Sequence, residues 1–195
     1  MQTIIKKPCT NFKTGRGTYK PEAIVIHIMD GSLSGTDSWF ATVASQVSAH
    51  YGIGKTGEIH QYVAEVDQAW HAGRVARPTW KGIHDGVNPN LYTIGIEHEG
   101  QPLVNDVWPE AMKQSSAELV ADIAKRWSIP LDRDHVIGHY QIFADKPNCP
   151  GVNHAIVDEI LARAIKINAP VDSTKSKIAQ AIALHKQAIT ILESI

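Results

Sequence analysis

The sequence is short of cysteine, of net charge and of long apolar runs, and each shortage excludes a class of protein. Two cysteines in 195 residues allow at most one disulfide, which excludes a disulfide-based scaffold. Nineteen basic and 20 acidic side chains leave a formal charge of -1, so the chain has no electrostatic footprint for nucleic acid. No run approaches the roughly 18 apolar residues of a transmembrane helix, so no integral membrane association is expected.

The N-terminal segment "MQTIIKKPCTNFKTGRG" has no apolar core of the kind found in secretory signals. This predicts cytoplasmic synthesis without a signal peptide. Apolar residues form 43% of the chain and charged residues 20%, as in globular proteins with a full core. Histidine, with ten copies, is the one unusually frequent residue. That number favours metal chemistry, and it also makes accidental His–Cys spacings more frequent.

The apolar patterning predicts strands that alternate with helices. The strand signals are a β-branched run at 22–30, a hairpin at 48–63 with its turn around Lys55 and Gly57, and an alternating run at 92–100. The helix signals are a Thr/Asp start at 36–45, a proline-led repeat at 108–127, and an amphipathic segment at 153–166 with Asn153 as N-cap. Strands interleaved with helices predict an α/β sheet covered on both faces.

The chain is predicted to consist of a domain, a linker and a separate helix. Residues 1–167 form the domain, and the Pro/Asp/Ser/Thr-containing segment 168–176 forms the linker. Residues 177–195 predict a C-terminal helix whose apolar face is too wide for a helix that stands alone in water. We expect this helix to support self-association or to act as a small wall-targeting element.

His27 interrupts an apolar strand and shares a face with Val25 and Met29. The residue has two interpretations of about equal weight. One is a core histidine that is hydrogen-bonded to backbone, and the other is a metal ligand whose imidazole is held with little rotamer freedom. A single histidine does not separate the two.

His139 and Cys149 lie ten positions apart around a polar turn in "GHYQIFADKPNCPG". Neutral imidazole and thiolate are both zinc ligands, and a catalytic zinc site takes three protein ligands. Spacing alone favours the alternative, which is a surface histidine and a buried, inert cysteine.

Carboxylates and aromatic groups supply further candidates. Period two puts Glu97 and Glu99 on one side of a strand, where a carboxylate beside a metal can act as a general base. Glu99 fits an exposed surface charge better, whereas Glu97 follows buried isoleucines. Trp70 and His71, in "AWHAG", are suited to contact with a sugar or peptide, or to ordinary packing against the core.

Five segments together resemble the zinc-dependent N-acetylmuramoyl-L-alanine amidases, a family that includes phage lysins, cytoplasmic wall-recycling amidases and animal peptidoglycan recognition proteins. In order, the segments are "AIVIHIMD", "VSAHYGIGKTGEIHQYV", "QAWHAG", "IGIEHEG" and "VIGHYQI…PNCPG". They cover about residues 20 to 165. The resemblance implies the family's α/β fold, with a mixed central β-sheet flanked by helices, and a bound Zn²⁺.

The resemblance also implies roles for individual residues. His27, His139 and Cys149 fall on the three zinc ligands, and Glu97 falls on the catalytic glutamate. Many members carry an oxyanion-stabilising lysine two residues before the third ligand. That place is Pro147 here, and Lys146, one residue earlier, is the candidate for the role.

Substrate contacts are expected at three further residues, which are His50, Trp70 and His71. The substrate implied is peptidoglycan, cut at the amide between N-acetylmuramic acid and L-alanine. A phage or prophage lysin released from the cytoplasm by a holin is favoured, and a cytoplasmic recycling amidase is the alternative. A peptidoglycan-binding module without activity and an endopeptidase acting within the stem peptide remain open.

Overall fold

A computed structural model of the chain describes residues 3–103, 107–169, 178, 181–187 and 189–190. Its centre is a six-stranded sheet in the order β1-β5-β4-β7-β3-β8. These strands are β1 Ile4–Lys6, β3 Ala23–Ile28, β4 Tyr51–Ile53, β5 Ile59–Gln61, β7 Thr93–His98 and β8 Val136–Gly138. A separate antiparallel pair consists of β2 Phe12–Lys13 and β6 Gln68–Ala69.

The sheet is mixed, as the family resemblance implied. β7 runs parallel to β3 and β4, and β8 runs parallel to β3. The predicted hairpin is confirmed, since β4 and β5 pair in antiparallel fashion with Ile53 opposite Ile59. The short strands β1, β2, β6 and β8 were not predicted, because two or three residues are too few to show a period.

Two helices, α2 Glu110–Trp127 and α3 Ala155–Asn168, cover one face of the sheet. Alternate residues of β3 and β7 meet them and form the largest apolar cluster. Its strand members include Ile24, Ile26, Ile94 and Ile96, and its helix members include Met112, Leu119, Ile123, Val157 and Ile160. We call this the closed face of the sheet. The prediction of Asn153 as N-cap of α3 was wrong by one residue, since His154 is the N-cap; Asn153 Oδ1 still accepts a hydrogen bond from Ala155 N at 3.2 Å.

The opposite face, which we call the site face, is covered by helix α1 Leu33–Phe40 and by irregular chain. The prediction of a helix at 36–45 was wrong at both ends. Ser32 is the N-cap and accepts from Gly35 N at 3.1 Å, so the helix begins before Thr36. The helix ends at Phe40, whose ring packs edge-on against Tyr62, and a short 3-10 turn follows at Val43–Ser45.

The C-terminal part of the chain is described only in pieces. Helix α3 continues through Asn168, so helical structure enters the predicted linker 168–176, of which residues 170–176 lie outside the described residues. Residues 178, 181–187 and 189–190 are helical, which agrees with a C-terminal helix. The side chains of Ile182 and Leu184 are 52% and 66% exposed. Among the described helices, none has the length and apolar character required to span a bilayer.

Candidate metal centre and active site

The register of the central strands puts His27 and Glu97 side by side on the site face. β3 and β7 are parallel and pair His27 with Glu97 directly. Side chains alternate along a strand, so both residues point away from α2 and α3, as predicted. The His27 Nδ1 and Glu97 Oε1 atoms are 4.0 Å apart.

The ten-residue separation of His139 and Cys149 is closed by a loop. β8 ends at Gly138, and the 3-10 turn His139–Gln141 follows at once. The chain then returns, and Tyr140 N donates to the carbonyl oxygen of Cys149 at 3.1 Å. This hydrogen bond places the two ends of the loop beside each other at the end of β3.

The ligand atoms of His27, His139 and Cys149 all lie within 4.8 Å of one another. The Cys149 Sγ atom is 3.8 Å from His27 Nδ1, and the centroids of the two imidazole rings are 4.5 Å apart. His27 is 2% exposed and Cys149 is 8% exposed. The structure therefore brings together the three residues that the sequence predicted as ligands.

Burial controls the charge of every group in this cluster. It holds the pKa of His27 well below its ordinary value, and it lowers the pKa of His139 to about 4, with help from the Lys146 charge. Both rings are therefore neutral near pH 7, which is the form that binds metal. Burial also raises the pKa of the Cys149 thiol, and the neighbouring Glu97 carboxylate raises it further.

Glu97 differs from an ordinary carboxylate in two ways, a raised pKa and an oxygen without a hydrogen-bond partner. Burial raises its pKa to about 8, against a smaller lowering by the Lys146 charge. Its Oε2 atom is buried and has no hydrogen-bond partner. An orphaned buried oxygen of this kind is costly and marks a place where a further ligand belongs.

The residues fit a zinc ion. Two neutral imidazoles and one thiolate are a known donor set for catalytic zinc, and a fourth position stays open for water or substrate. Burial makes both the Cys149 thiol and the Glu97 carboxyl resist ionisation, and a divalent cation held by the three candidate ligands would favour the ionised forms. The other oxygen of the same Glu97 carboxylate, Oε1, lies 4.0 Å from His27 Nδ1.

A cavity of about 450 Å³ opens above this cluster. Trp70 and Lys146, two of the predicted site residues, line it together with the three candidate ligands and Glu97. Residues that sequence reasoning did not identify also line it, among them Asp30, Trp39, Leu103 and Asp145. Trp39 is 55% exposed on α1, and nothing in its sequence neighbourhood marks it as a site residue.

His71 lines the cavity but is engaged with the protein on both sides of its ring. Its Nδ1 atom is 3.0 Å from His27 Nε2, and its Nε2 atom is 3.3 Å from Thr93 Oγ1. Burial lowers the pKa of His71 to about 3, so this ring is also neutral.

His50 does not contact the cavity, and its prediction as a substrate contact was wrong. The side chain is fully buried. Its Nδ1 atom accepts a hydrogen bond from Gly95 N at 3.0 Å, and its Nε2 atom lies 2.7 Å from the buried Arg16 guanidinium. Residues so far apart in the chain showed no pattern that would have revealed this packing.

Glu99 is not a free surface charge. Its Oε2 atom accepts a hydrogen bond from Lys55 N at 2.9 Å and so holds the turn of the β4–β5 hairpin. The sequence analysis favoured Glu97 over Glu99 as a site residue. The structure gives a basis for this choice, since Glu97 lies 4.0 Å from His27 and Glu99 is bonded to the hairpin turn.

Comparison with known proteins agrees with this geometry. A model of the N-acetylmuramoyl-L-alanine amidase family matches residues 17–152. The chain belongs to this family. The match includes His27, Glu97, His139 and Cys149, and the similarity to the family noted in the sequence is thereby confirmed.

Curated relatives match part of the length of this chain. N-acetylmuramoyl-L-alanine amidase A of Achromobacter lyticus is 38% identical over 123 residues, which are 63% of this chain and 62% of the relative. The 1,6-anhydro-N-acetylmuramyl-L-alanine amidase AmpD of Salmonella typhimurium LT2 is 34% identical over 58% of this chain and 56% of that protein. The chain thus matches about six tenths of the length of these relatives.

Solved structures show the same amidase fold. A mutant endolysin from Bacillus subtilis superimposes with a TM-score of 0.62 at 20% identity, over 84% of this chain and 99% of that one. At this identity the likeness shows the fold alone. It confirms the predicted α/β architecture with a mixed sheet flanked by helices.

Proposed function

We propose that the protein is a zinc-dependent N-acetylmuramoyl-L-alanine amidase that hydrolyses the amide between N-acetylmuramic acid and L-alanine in peptidoglycan. The observation that carries the proposal is the grouping of His27, His139 and Cys149 within 4.8 Å beside an orphaned Glu97 oxygen. Family membership supplies the substrate class.

The three ligands would hold zinc at the end of β3, below the cavity. Zinc bound there supplies a Lewis acid that polarises the scissile carbonyl. His27 and His139 contribute neutral nitrogen donors, and Cys149 contributes the single anionic donor. His27 and Cys149 are buried, and this burial strengthens the electrostatic interactions at the base of the cavity.

Glu97 is the proposed general base and then the general acid. Its carboxylate accepts a proton from the water that attacks the amide carbonyl carbon. When the C–N bond breaks, Glu97 returns that proton to the amine nitrogen of L-alanine. Hydrolysis leaves a carboxylate on the lactyl group of the sugar and a free amino terminus on the peptide.

Lys146 and Trp70 are the proposed substrate contacts at the cavity wall. Lys146 is exposed at the rim, and its charge already acts on Glu97 and His139. It is placed to stabilise negative charge on the carbonyl oxygen during attack. Trp70 offers an indole for a sugar or stem peptide, and hydrogen bonds between its backbone and Ser48 hold its position.

The proposal is tested by digestion of purified sacculi and mass spectrometry of the products. We expect free L-alanine amino termini with no new reducing sugar ends, and loss of activity with a chelator that added zinc restores. New reducing ends would indicate a glycosidase. A new amino terminus on another residue would indicate an endopeptidase, and binding without any product would indicate a recognition module.

We further propose that the substrate is the polymeric wall, as for a phage or prophage lysin synthesised in the cytoplasm. The cavity opens to solvent beside the exposed Trp39, so a glycan chain could extend past the reacting bond. A recycling amidase is the second candidate, because AmpD, the relative with 34% identity, is named for the 1,6-anhydro sugar. Comparison of rates on sacculi and on soluble anhydro-muropeptides decides between the two.

Self-association through the C-terminal helix stays a prediction. The described part of this helix exposes Ile178, Ile182 and Ile189, which share one side of a helix at this spacing. Light scattering of the full chain and of a 1–168 truncation tests it. Two monomers with equal activity on sacculi would refute both self-association and a wall-targeting role.

A further inference from the structure

The ring of His71 lies between a candidate zinc ligand and a buried hydroxyl. Its Nδ1 atom is 3.0 Å from His27 Nε2, and its Nε2 atom is 3.3 Å from Thr93 Oγ1. The Thr93 hydroxyl donates in turn to the carbonyl oxygen of Pro89 at 2.7 Å. Thr93 is fully buried, so this chain of hydrogen bonds ends inside the protein.

The direction of every hydrogen bond in the chain follows from its last member. A carbonyl oxygen only accepts, so the Thr93 hydroxyl proton points at Pro89. The Thr93 oxygen therefore accepts from His71 Nε2–H. A neutral imidazole has one N–H, so His71 Nδ1 is an acceptor and takes a hydrogen bond from His27 Nε2–H.

This arrangement leaves His27 with an unprotonated Nδ1 atom. That atom is the one 3.8 Å from Cys149 Sγ and 4.0 Å from Glu97 Oε1, on the side of the proposed metal. The opposite tautomer would put a proton where the metal must bind.

The fold holds the His71 ring in this place by two other means. A Cβ on Gly95 would lie 2.5 Å from the His71 Cγ and Nδ1 atoms, so only glycine at this strand position admits the ring. The His71 backbone N–H donates to Asn90 Oδ1 at 3.1 Å, and the same oxygen accepts from Ala72 N at 2.7 Å.

We propose that His71 is a positioning residue, which fixes the His27 tautomer and ring orientation for zinc through the relay His27–His71–Thr93–Pro89. The inference rests on the proposed zinc site and replaces the substrate-contact role expected from the sequence. Hydrogen-bond partners of metal-bound histidines act in this way and typically change metal affinity about 10–100-fold when removed.

The test is zinc affinity, measured by competition with a chromophoric chelator, in a matched pair of His71 variants. His71→Phe keeps a ring but removes the acceptor, and we expect affinity to fall about 10–100-fold. His71→Asn places an amide oxygen near the former Nδ1 position, and we expect it to recover much of that loss. The Co²⁺-loaded proteins give a second readout, since a rotated His27 would alter the cobalt ligand-field spectrum.

A second pair of variants changes Thr93, which lies one hydrogen bond further from the proposed metal than His71. Thr93→Val removes the hydroxyl with little change of shape, and we expect zinc affinity to fall about 10-fold, at the low end of such effects. Thr93→Ser keeps the hydroxyl and should remain close to wild type. These variants do not touch the cavity, so a substrate-contact role for His71 predicts no change in either.

The outcomes separate the inference from the proposed function. Unchanged zinc affinity in His71→Phe and Thr93→Val, with one zinc in the wild-type protein, would overturn the positioning role and leave the amidase proposal intact. A wild-type protein that holds no zinc would overturn the metal site and this inference together.

Discussion

A buried histidine and a largely buried glutamate lie on each side of the central sheet, His27 and Glu97 on the site face, and His98 and the loop residue Glu65 on the closed face, and their polar atoms are satisfied to different degrees. On the closed face, His98 is satisfied at both ring nitrogens, by the His27 carbonyl oxygen at 2.9 Å and by Ser116 Oγ at 2.8 Å. Glu65 receives hydrogen bonds from Tyr51, Arg126 and Trp127. Both ring nitrogens of His98 and both carboxylate oxygens of Glu65 therefore have hydrogen-bond partners within the protein.

On the site face, the partners of His27 and Glu97 are incomplete. His27 Nδ1 has only the distant Cys149 sulfur and Glu97 oxygen, and Glu97 Oε2 has no partner. Burial raises the pKa of Glu97 to about 8. For Glu65 burial also opposes ionisation, but the hydrogen bonds from Arg126, Trp127 and Tyr51 outweigh it, and the pKa lies below its ordinary value.

The difference shows that burial does not by itself distinguish a structural residue from a functional one. His27 and His98 are both nearly inaccessible, with exposures of 2% and 0%. What distinguishes them is whether the fold supplies a close partner for each polar atom. On the site face, His27 Nδ1 and Glu97 Oε2 lack close partners that a metal or a substrate would supply. On the closed face, His98 and Glu65 already have theirs.

The largest effect is expected for Glu97→Gln. The amide cannot accept the water proton, so we expect the rate to fall about 10²–10⁴-fold, the usual span for general acid–base catalysis, with fold and zinc content unchanged. The measurement is the initial rate on sacculi. Glu99→Gln is the control and should change the rate little, because Glu99 holds a hairpin turn. A larger loss of rate in Glu99→Gln than in Glu97→Gln would show that the base is wrongly assigned.

Cys149→Ser tests whether polar atoms of the site face lack protein partners because they surround a metal site. A neutral hydroxyl is a poor ligand, so we expect zinc affinity to fall by more than the roughly 100-fold that loss of a ligand's hydrogen-bond partner can cost. Metal content after dialysis and chelator competition measure it. Retention of one tightly held zinc in the variant would contradict the assignment of Cys149 as a ligand.

Ser116→Ala tests the satisfied histidine of the closed face. It leaves His98 Nε2 buried without a partner, which should lower the free energy of unfolding by about 1–3 kcal/mol. Urea denaturation measures this change, and zinc affinity should stay at the wild-type value. A marked loss of zinc with unchanged stability would mean that the two faces are not independent.

The last effect concerns Glu65 and is confined to the pH range in which this side chain is ionised. Because its folded-state pKa is lowered, ionised Glu65 stabilises the fold above its ordinary pKa, near 4.5, and that contribution disappears as pH falls through the lowered folded value. Glu65→Gln should therefore be less stable than wild type at pH 7, by about 1–3 kcal/mol. Thermal unfolding measured from pH 7 to pH 3 should show that the difference in stability between wild type and Glu65→Gln becomes smaller in acid. A difference that does not change with pH would contradict this account.

Much of the fold was predictable because it rests on local periodicity. The strand alternation in "EAIVIHIMD" and "YTIGIEHEG" assigned His27 and Glu97 to one face and the isoleucines to the other, as observed. The β4–β5 hairpin and the two long helices also followed from local patterns. The start of α1 was misplaced because Ser32, rather than Thr36 or Asp37, supplies the N-cap oxygen.

The sequence by itself determined the alternation and spacing of the polar residues and, through their resemblance to a family, which three are predicted to bind zinc. Only the tertiary structure decided how the other polar residues are used. His50 is buried where Gly95 N donates to its Nδ1 atom, and its Nε2 atom lies beside the carbonyl oxygen of Asp67 and the Arg16 guanidinium, all distant in the chain. His71 turns toward His27 where Gly95 leaves room for its ring and Thr93 Oγ1 lies within hydrogen-bond distance of its Nε2 atom. Such roles depend on partners brought together by folding, and no local spacing records them.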